Sequence, residues 1–258
     1  MKKTMKNLTR ITLISTIALL TACSSSPDKD EPLLKNAGPQ TLYTKAKEQL
    51  TTGNYNAAVE TLSALDSRFP FGPLSHQVQL DLIFAYYKTG KTDQAIATID
   101  RFIRLNPNHS DVDFALHMRG LVNLDADKNL FQEMLGIDRS DRDPSYARQA
   151  FEDFRSLIEK FPNSRYAADA KQRMVAIKDR LARYEIEIAR FYMERQAWVA
   201  AANRGQYVVE YYSDTPHVKD ALQIMIECYD QLGLDELKQN ARTTLLLNFP
   251  DAANRNDS

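Results

Sequence analysis

The chain has 258 residues, with 33 Lys and Arg against 34 Asp and Glu and a formal net charge of −1. No long basic run follows Arg10, so there is no electrostatic footprint for nucleic acid. Eight glycines and two cysteines in a chain rich in Ala, Leu, Arg, Glu and Gln point to helix and exclude a disulfide-built scaffold, and the length suits one or two domains.

At the amino terminus Lys2, Lys3, Lys6 and Arg10 precede an apolar stretch from Ile11 to Leu20. A bilayer span needs about 20 apolar residues, so residues 1–22 read as a signal peptide. The run closes on Leu20-Thr21-Ala22-Cys23, which resembles the lipobox of bacterial lipoproteins. The resemblance implies cleavage before Cys23, a diacylglycerol on its thiol and a palmitoyl-type chain on its new amino group. The alternative is an ordinary secretory signal with an incidental Cys. One acyl chain binds membranes only marginally and two signals bind stably, so a triply acylated Cys23 is a sufficient anchor. Ser24 stands where an Asp would favour the inner membrane. That implies anchoring on the inner leaflet of the outer membrane, with the domain facing the periplasm. Loss of residues 1–22 removes four of the 33 basic side chains, leaving 29 against 34 acidic ones, a net of about −5. Residues 23–38, rich in Ser, Pro, Asp and Lys, have no apolar period and read as a flexible tether.

From residue 39 onward the chain repeats itself. Gly53, Gly90 and Gly233 are each followed 17 residues later by a proline, at Pro70, Pro107 and Pro250. Ala58, Leu62, Leu65 and Pro70 have offsets of 4, 7 and 12, as do Ala95, Ile99, Phe102, Pro107 and Ala150, Phe154, Leu157, Pro162. Offsets of 4 and 7 share one helical face, and a small residue at the first slot lets two helices approach closely. Glycine ends the preceding helix in a left-handed turn, and proline stops the next. This resembles the tetratricopeptide repeat, a helix–turn–helix of about 34 residues. It implies an all-α, right-handed superhelical solenoid of about five repeats, placed at residues 39–72, 76–109, 113–162, 166–215 and 219–252.

Three places depart from the pattern. Residues 125–143 form an insertion inside the third repeat, whose apolar residues suit either folding back onto that repeat or docking a partner. The fourth repeat puts Gly205 in a large-apolar slot, and the fifth puts Lys238 and Arg242 in core slots. The apolar face of the last helix reads instead as Leu234, Leu237, Ala241 and Leu245, a rotated arrangement suited to a solenoid cap. Tyr166 to Glu194 has no Pro or Gly and reads as one long helix, and residues 251–258 read as a frayed polar tail. Cys228, in an apolar helical stretch, reads as a buried structural thiol.

Catalytic signatures are absent. His76, His109, His117 and His217 are scattered, and no metal-binding His pair, phosphate loop or nucleophile elbow occurs. The charged run from Asp138 to Asp143 reads as a solvated surface. No enzyme activity, metal or cofactor is expected.

Longer strings narrow the resemblance: Arg68-Phe-Pro-Phe-Gly-Pro73, Gln77-Val-Gln-Leu-Asp-Leu82 with Ala85-Tyr-Tyr-Lys88, Asp100-Arg-Phe-Ile-Arg-Leu-Asn-Pro107, Met118-Arg-Gly-Leu121 and Asp138-Arg-Ser-Asp-Arg-Asp-Pro144. These resemble the BamD family, the repeat lipoproteins of the outer-membrane β-barrel assembly (Bam) machinery, from Cys23 to about Pro250. The resemblance implies a non-enzymatic role in folding and inserting barrel proteins. Amino-terminal repeats would meet unfolded barrel proteins, and carboxy-terminal repeats would hold the periplasmic POTRA domains of BamA and the other Bam lipoproteins. A lipoprotein scaffold for peptidoglycan synthases or hydrolases, and a periplasmic hydrolase, are the alternatives.

Two candidate sites follow. In a tetratricopeptide array the first helix of each repeat lines the concave face. The slots that point inward yet stay open are Tyr43 and Lys47, then Leu80, Phe84 and Tyr87, then Phe114, His117 and Leu121. An aromatic and aliphatic lining with a cation at its edge suits an extended peptide with apolar side chains and a terminal carboxylate. The alternative is that these side chains only pack against neighbouring helices. Arg204 lies one place before the Gly205 slot and can reach outward. The resemblance implies that it pairs with a carboxylate of BamA, and the alternative is a plain surface arginine.

Overall fold

The computed structural model describes residues 36–127 and 144–255. The signal peptide, Cys23, the tether up to residue 35, residues 128–143 of the insertion and residues 256–258 of the tail lie outside the described residues. Among the described residues the structure is built from ten α-helices and one short 3-10 helix, with no strand.

The helices pair in chain order. The first repeat is α1 (Pro39–Thr51) with α2 (Tyr55–Arg68), the second α3 (Ser75–Lys88) with α4 (Thr92–Leu105), and the third α5 (Val112–Asp127) with α6 (Ser145–Lys160). The fourth is α7 (Ala167–Glu194) with α8 (Trp198–Tyr211), and the fifth α9 (Val218–Gln231) with α10 (Asp235–Asn248). Each helix packs on its neighbours in sequence, and α3 also meets α5, as α7 meets α9. Contact of each unit with the next alone is the arrangement of a tetratricopeptide solenoid.

The repeated skeleton is the core. Ala58, Ala95 and Ala150 are fully buried, and Leu62, Leu65, Ile99, Phe102, Phe154 and Leu157 bury beside them. Gly53, Gly90 and Gly233 adopt φ of 76°, 66° and 67°, the left-handed conformation that closes a helix. At each, the next residue's N–H bonds back five residues, as in Lys91 N to Tyr86 O at 2.9 Å. The fourth repeat makes the same turn without glycine. Gln196 takes φ 57°, and Ala197 N bonds Tyr192 O at 2.9 Å.

Two further glycines set helix approach. A Cβ on Gly205 would sit 2.9 Å from both the Ala221 carbonyl oxygen and Met225 Cγ, so α8 and α9 touch backbone to backbone. A Cβ on Gly120 would sit 2.5–2.8 Å from three ring atoms of Phe154. This is the hole in α5 that receives the α6 ring.

The carboxy-terminal end corrects two expectations. On α10 only Ala241 and Leu245 are buried, while Leu234 and Leu237 are 42 % and 45 % exposed. The terminal helix has a neighbour on one side only, so half of its apolar face stays uncovered. Residues Pro250–Arg255 are not frayed but form the 3-10 helix, which places Ala252 against the core. Cys228 is fully buried as a free thiol, and burial pushes it up to about 11.

Candidate functional site: a groove across the first helices

Helices α3 and α5 and the turn into α7 enclose an open cavity of about 290 Å³. Its walls are Gln77, Leu80, Asp81 and Phe84 from α3, Asp111 and Phe114 at the start of α5, and Arg165 and Tyr166 before α7. Spacing of 77, 80, 81 and 84 puts all four on one face of α3, as a helical period requires. Three of the expected lining residues, Leu80, Phe84 and Phe114, therefore share one cavity. Leu80 is buried at its floor rather than open. Phe84 stands edge-on to Tyr55 at 6.0 Å, and Phe114 is tilted against Tyr166 at 5.9 Å.

The polar rim is organised by Asp81. Its carboxylate accepts from the Tyr43 hydroxyl at 2.9 Å, from Gln77 Nε2 at 3.2 Å and from Lys47 Nζ at 3.4 Å. Burial and this carboxylate raise the Tyr43 hydroxyl well above the usual tyrosine range. Tyr43 and Lys47 thus meet the cavity only through Asp81, and Lys47 is a partnered cation rather than a free one.

Three other expected residues sit outside the cavity lining. His117 is buried at 9 % exposure, stacks on Tyr166 at 4.7 Å, and lies 2.7 Å from Asp169 Oδ2. Arg173 Nε donates to the same oxygen at 2.7 Å, and the Arg173 bond first, with His117 after it, holds Asp169 below the usual carboxylate range. His117 is therefore a support beneath Tyr166 and not an open lining residue. Tyr87 is half-buried, with its hydroxyl raised by burial and by the Asp125 carboxylate. Leu121 is half-buried against the core.

Arg204 is half-exposed, yet its Nη1 donates to Glu185 Oε2 at 2.9 Å. Glu185 is only 1 % exposed and also accepts from Arg148 Nη2 at 3.2 Å, so one buried carboxylate on α7 ties α6 and α8. The Glu185 hydrogen bond is the first cause of the raised Arg204 guanidinium. Sequence reasoning missed Asp81 and Glu185 because their decisive partners lie 19 to 38 residues away along the chain.

The family model described as "Outer membrane lipoprotein" matches residues 35–245. The outer membrane protein assembly factor BamD of Vibrio cholerae is 46 % identical over 232 residues, covering 90 % of this chain and 95 % of that protein. The chain belongs to the BamD family. The BamD of Neisseria meningitidis serogroup A is 41 % identical, covering 90 % of this chain and 87 % of that protein. Among solved structures, the MamA protein superposes with a TM-score of 0.40 at 14 % identity, covering 85 % of this chain and 96 % of that one. The BamD family match spans all five repeats, groove and Arg204 included, and reaches into α10.

Proposed function

We propose that this protein is a non-enzymatic assembly factor for outer membrane β-barrel proteins. It is held by acylated Cys23 on the inner leaflet of the outer membrane, with its repeats in the periplasm. The amino-terminal groove holds an extended segment of an unfolded barrel protein. The carboxy-terminal repeats carry the POTRA domains of BamA, with Arg204 facing a BamA carboxylate, and contact the other Bam lipoproteins. The observation that carries this reading is the open cavity in which Leu80, Phe84 and Phe114 face both acidic and basic side chains. Strands that will face lipid and lumen alternate apolar and polar side chains. An extended segment of one places its apolar side chains on the rings and its polar groups on the rim.

The test is photo-crosslinking in cells from positions 84 and 114, with exposed Leu105 on α4 as the control. Nascent barrel proteins should be captured from 84 and 114 and not from 105. Capture of peptidoglycan synthases or hydrolases instead would sink the reading. The anchor has its own test: Cys23→Ala should abolish acylation and release the protein from outer membranes, and label from palmitate in that variant would overturn it.

A further inference from the structure

We infer that the turn at Phe71 seats the first repeat on the lipid surface that holds the anchor, with the Phe71 ring among the headgroups and upper acyl chains of a phospholipid bilayer. This inference rests on Cys23 being that anchor. Phe71 is 96 % exposed, more than any other large apolar side chain among the described residues. The turn itself does not call for an aromatic ring. Each second helix ends in the same kind of cap, at Phe69, Asn106, Phe161, Tyr212 and Phe249, with φ between −127° and −134°. Two residues further on, the later repeats place Asn108, Asn163, Asp214 and Asp251, polar residues that suit a solvated turn. Only the first repeat, the one nearest Cys23 in sequence, has a ring there.

The chemistry of the turn suits lipid. Residues 69–74, Phe-Pro-Phe-Gly-Pro-Leu, carry no charge. Pro70 and Pro73 have no N–H to leave unsatisfied, and the N–H groups of Phe69 and Gly72 donate to Leu65 O at 2.9 Å and Phe69 O at 3.3 Å. Entry into the interface therefore strands little backbone. The base of the turn faces the incoming chain. Arg68 Nη2 donates to the Ala37 carbonyl at 3.1 Å, and its guanidinium lies 5.1 Å from the Phe69 ring centroid. Ala37, Phe69 and Leu74 all pack against the core of the first repeat. The chain coming from Cys23 thus meets the domain beside this turn. Thirteen residue steps separate Cys23 from Asn36, a reach of about 45 Å at full extension. A leash that short presents the turn to the bilayer at an effective concentration of about millimolar. Transfer of one ring out of water favours the docked state about tenfold or more. Alone that is too weak to hold a protein on a membrane. Added to an acyl anchor, it is a second contact that fixes which face of the solenoid looks at the bilayer.

The experiment uses the full acylated protein in vesicles of phosphatidylethanolamine and phosphatidylglycerol, with or without bromine on the upper acyl chains. Phe71→Trp adds a tryptophan to the single native one, Trp198. Leu105→Trp, at an exposed site on α4, is the control. Bromolipid should quench the added emission of Phe71→Trp about twofold or more, and that emission should be blue-shifted, while wild type and Leu105→Trp stay unchanged. Water-like, unquenched emission overturns the inference. A blue shift without quenching overturns it too, because protein, such as a second copy of the chain, then covers the ring. Equal quenching in Phe71→Trp and Leu105→Trp also overturns it, because the domain then lies on lipid with no preferred face. Flotation with the vesicles reports the anchor separately. Protein that floats without quenching in Phe71→Trp sinks the Phe71 contact and leaves Cys23 standing, and protein that does not float sinks both.

Discussion

Gly120→Ala tests whether the groove wall is set by close packing. In an ordinary helix this change gains about 1 kcal/mol, because alanine loses less backbone freedom on folding. Here the added Cβ would lie 2.5, 2.7 and 2.8 Å from Cε1, Cζ and Cδ1 of Phe154. The ring is fully buried and abuts His117 at 6.0 Å, so it has no free rotamer to move into. Overpacking of this kind typically costs about 1–3 kcal/mol, more than the helix gain at its upper end. With three ring atoms closer than 3.0 Å the cost falls in the upper part of that range, and the expected outcome is a net loss of about 1–2 kcal/mol. In a domain of this size that is a fall of about 2–8 °C in melting temperature. Urea unfolding followed by circular dichroism would measure it, with Phe154→Leu as the second arm of a cycle. Phe154→Leu alone loses packing, but with Gly120→Ala the smaller side chain makes room for the methyl. The double variant should therefore be more stable than the sum of the singles by about 1 kcal/mol or more. A neutral or stabilised Gly120→Ala, or strict additivity of the pair, would refute the claim that α5 and α6 are locked by this hole.

Gln196→Gly should stabilise the domain by about 1 kcal/mol, since a left-handed non-glycine residue costs about 1–2 kcal/mol, and a lower melting temperature would count against a strained turn at φ 57°. At alkaline pH stability should fall. Burial raises Cys228 to about 11, and burial together with Tyr207 raises Tyr212 to about 12, so each holds its proton more tightly folded than unfolded. Their contribution is complete below about pH 9 and is lost as pH climbs toward 12; a pH titration of unfolding in wild type, Cys228→Ala and Tyr212→Phe should show the variants with the shallower slopes. Arg204→Glu would set a second carboxylate beside buried Glu185, 2.9 Å from the present Nη1, and so destabilise the fold itself. Arg204→Met keeps the stem and should fold while losing co-purification with BamA; unchanged co-purification would remove Arg204 from that interface.

The core was legible because its signal is periodic. Ala58, Ala95 and Ala150 announce the close helix contacts by offset alone, and all three are fully buried. The glycine turns were legible for the same reason, since glycine pre-empts the left-handed region at Gly53, Gly90 and Gly233. The Gln196 turn was not, because the residue type there opposes the conformation that the surrounding helices impose. Groove aromatics could be placed on the right helices but not sorted into open and buried. Phe84 and His117 share the inward slots, yet only Asp169 on α7 and the Tyr166 ring just before that helix decide that His117 is sealed. Lys47 shows the same limit for charge. Whether a cation is free depends on a carboxylate 34 residues away, which no local pattern encodes.

Helix α7 gives the two candidate surfaces a fixed relation. It begins beside the groove, where Asp169 and Arg173 brace His117 under Tyr166, and farther along it carries Glu185 between Arg148 and Arg204. Asp169 and Glu185 are 16 residues apart, about 24 Å along a helix rising 1.5 Å per residue. The 28 residues of α7 include no Pro or Gly, the usual sources of a kink. Ala170, Ile177, Leu181, Ala182, Ile186 and Ala189 are buried along its length, so the helix is seated in the core between its ends. Elsewhere in the solenoid, successive repeats are related by turns and by stacked side chains, which can shear. Between the groove and the Glu185 cluster the link is instead a single hydrogen-bonded helix.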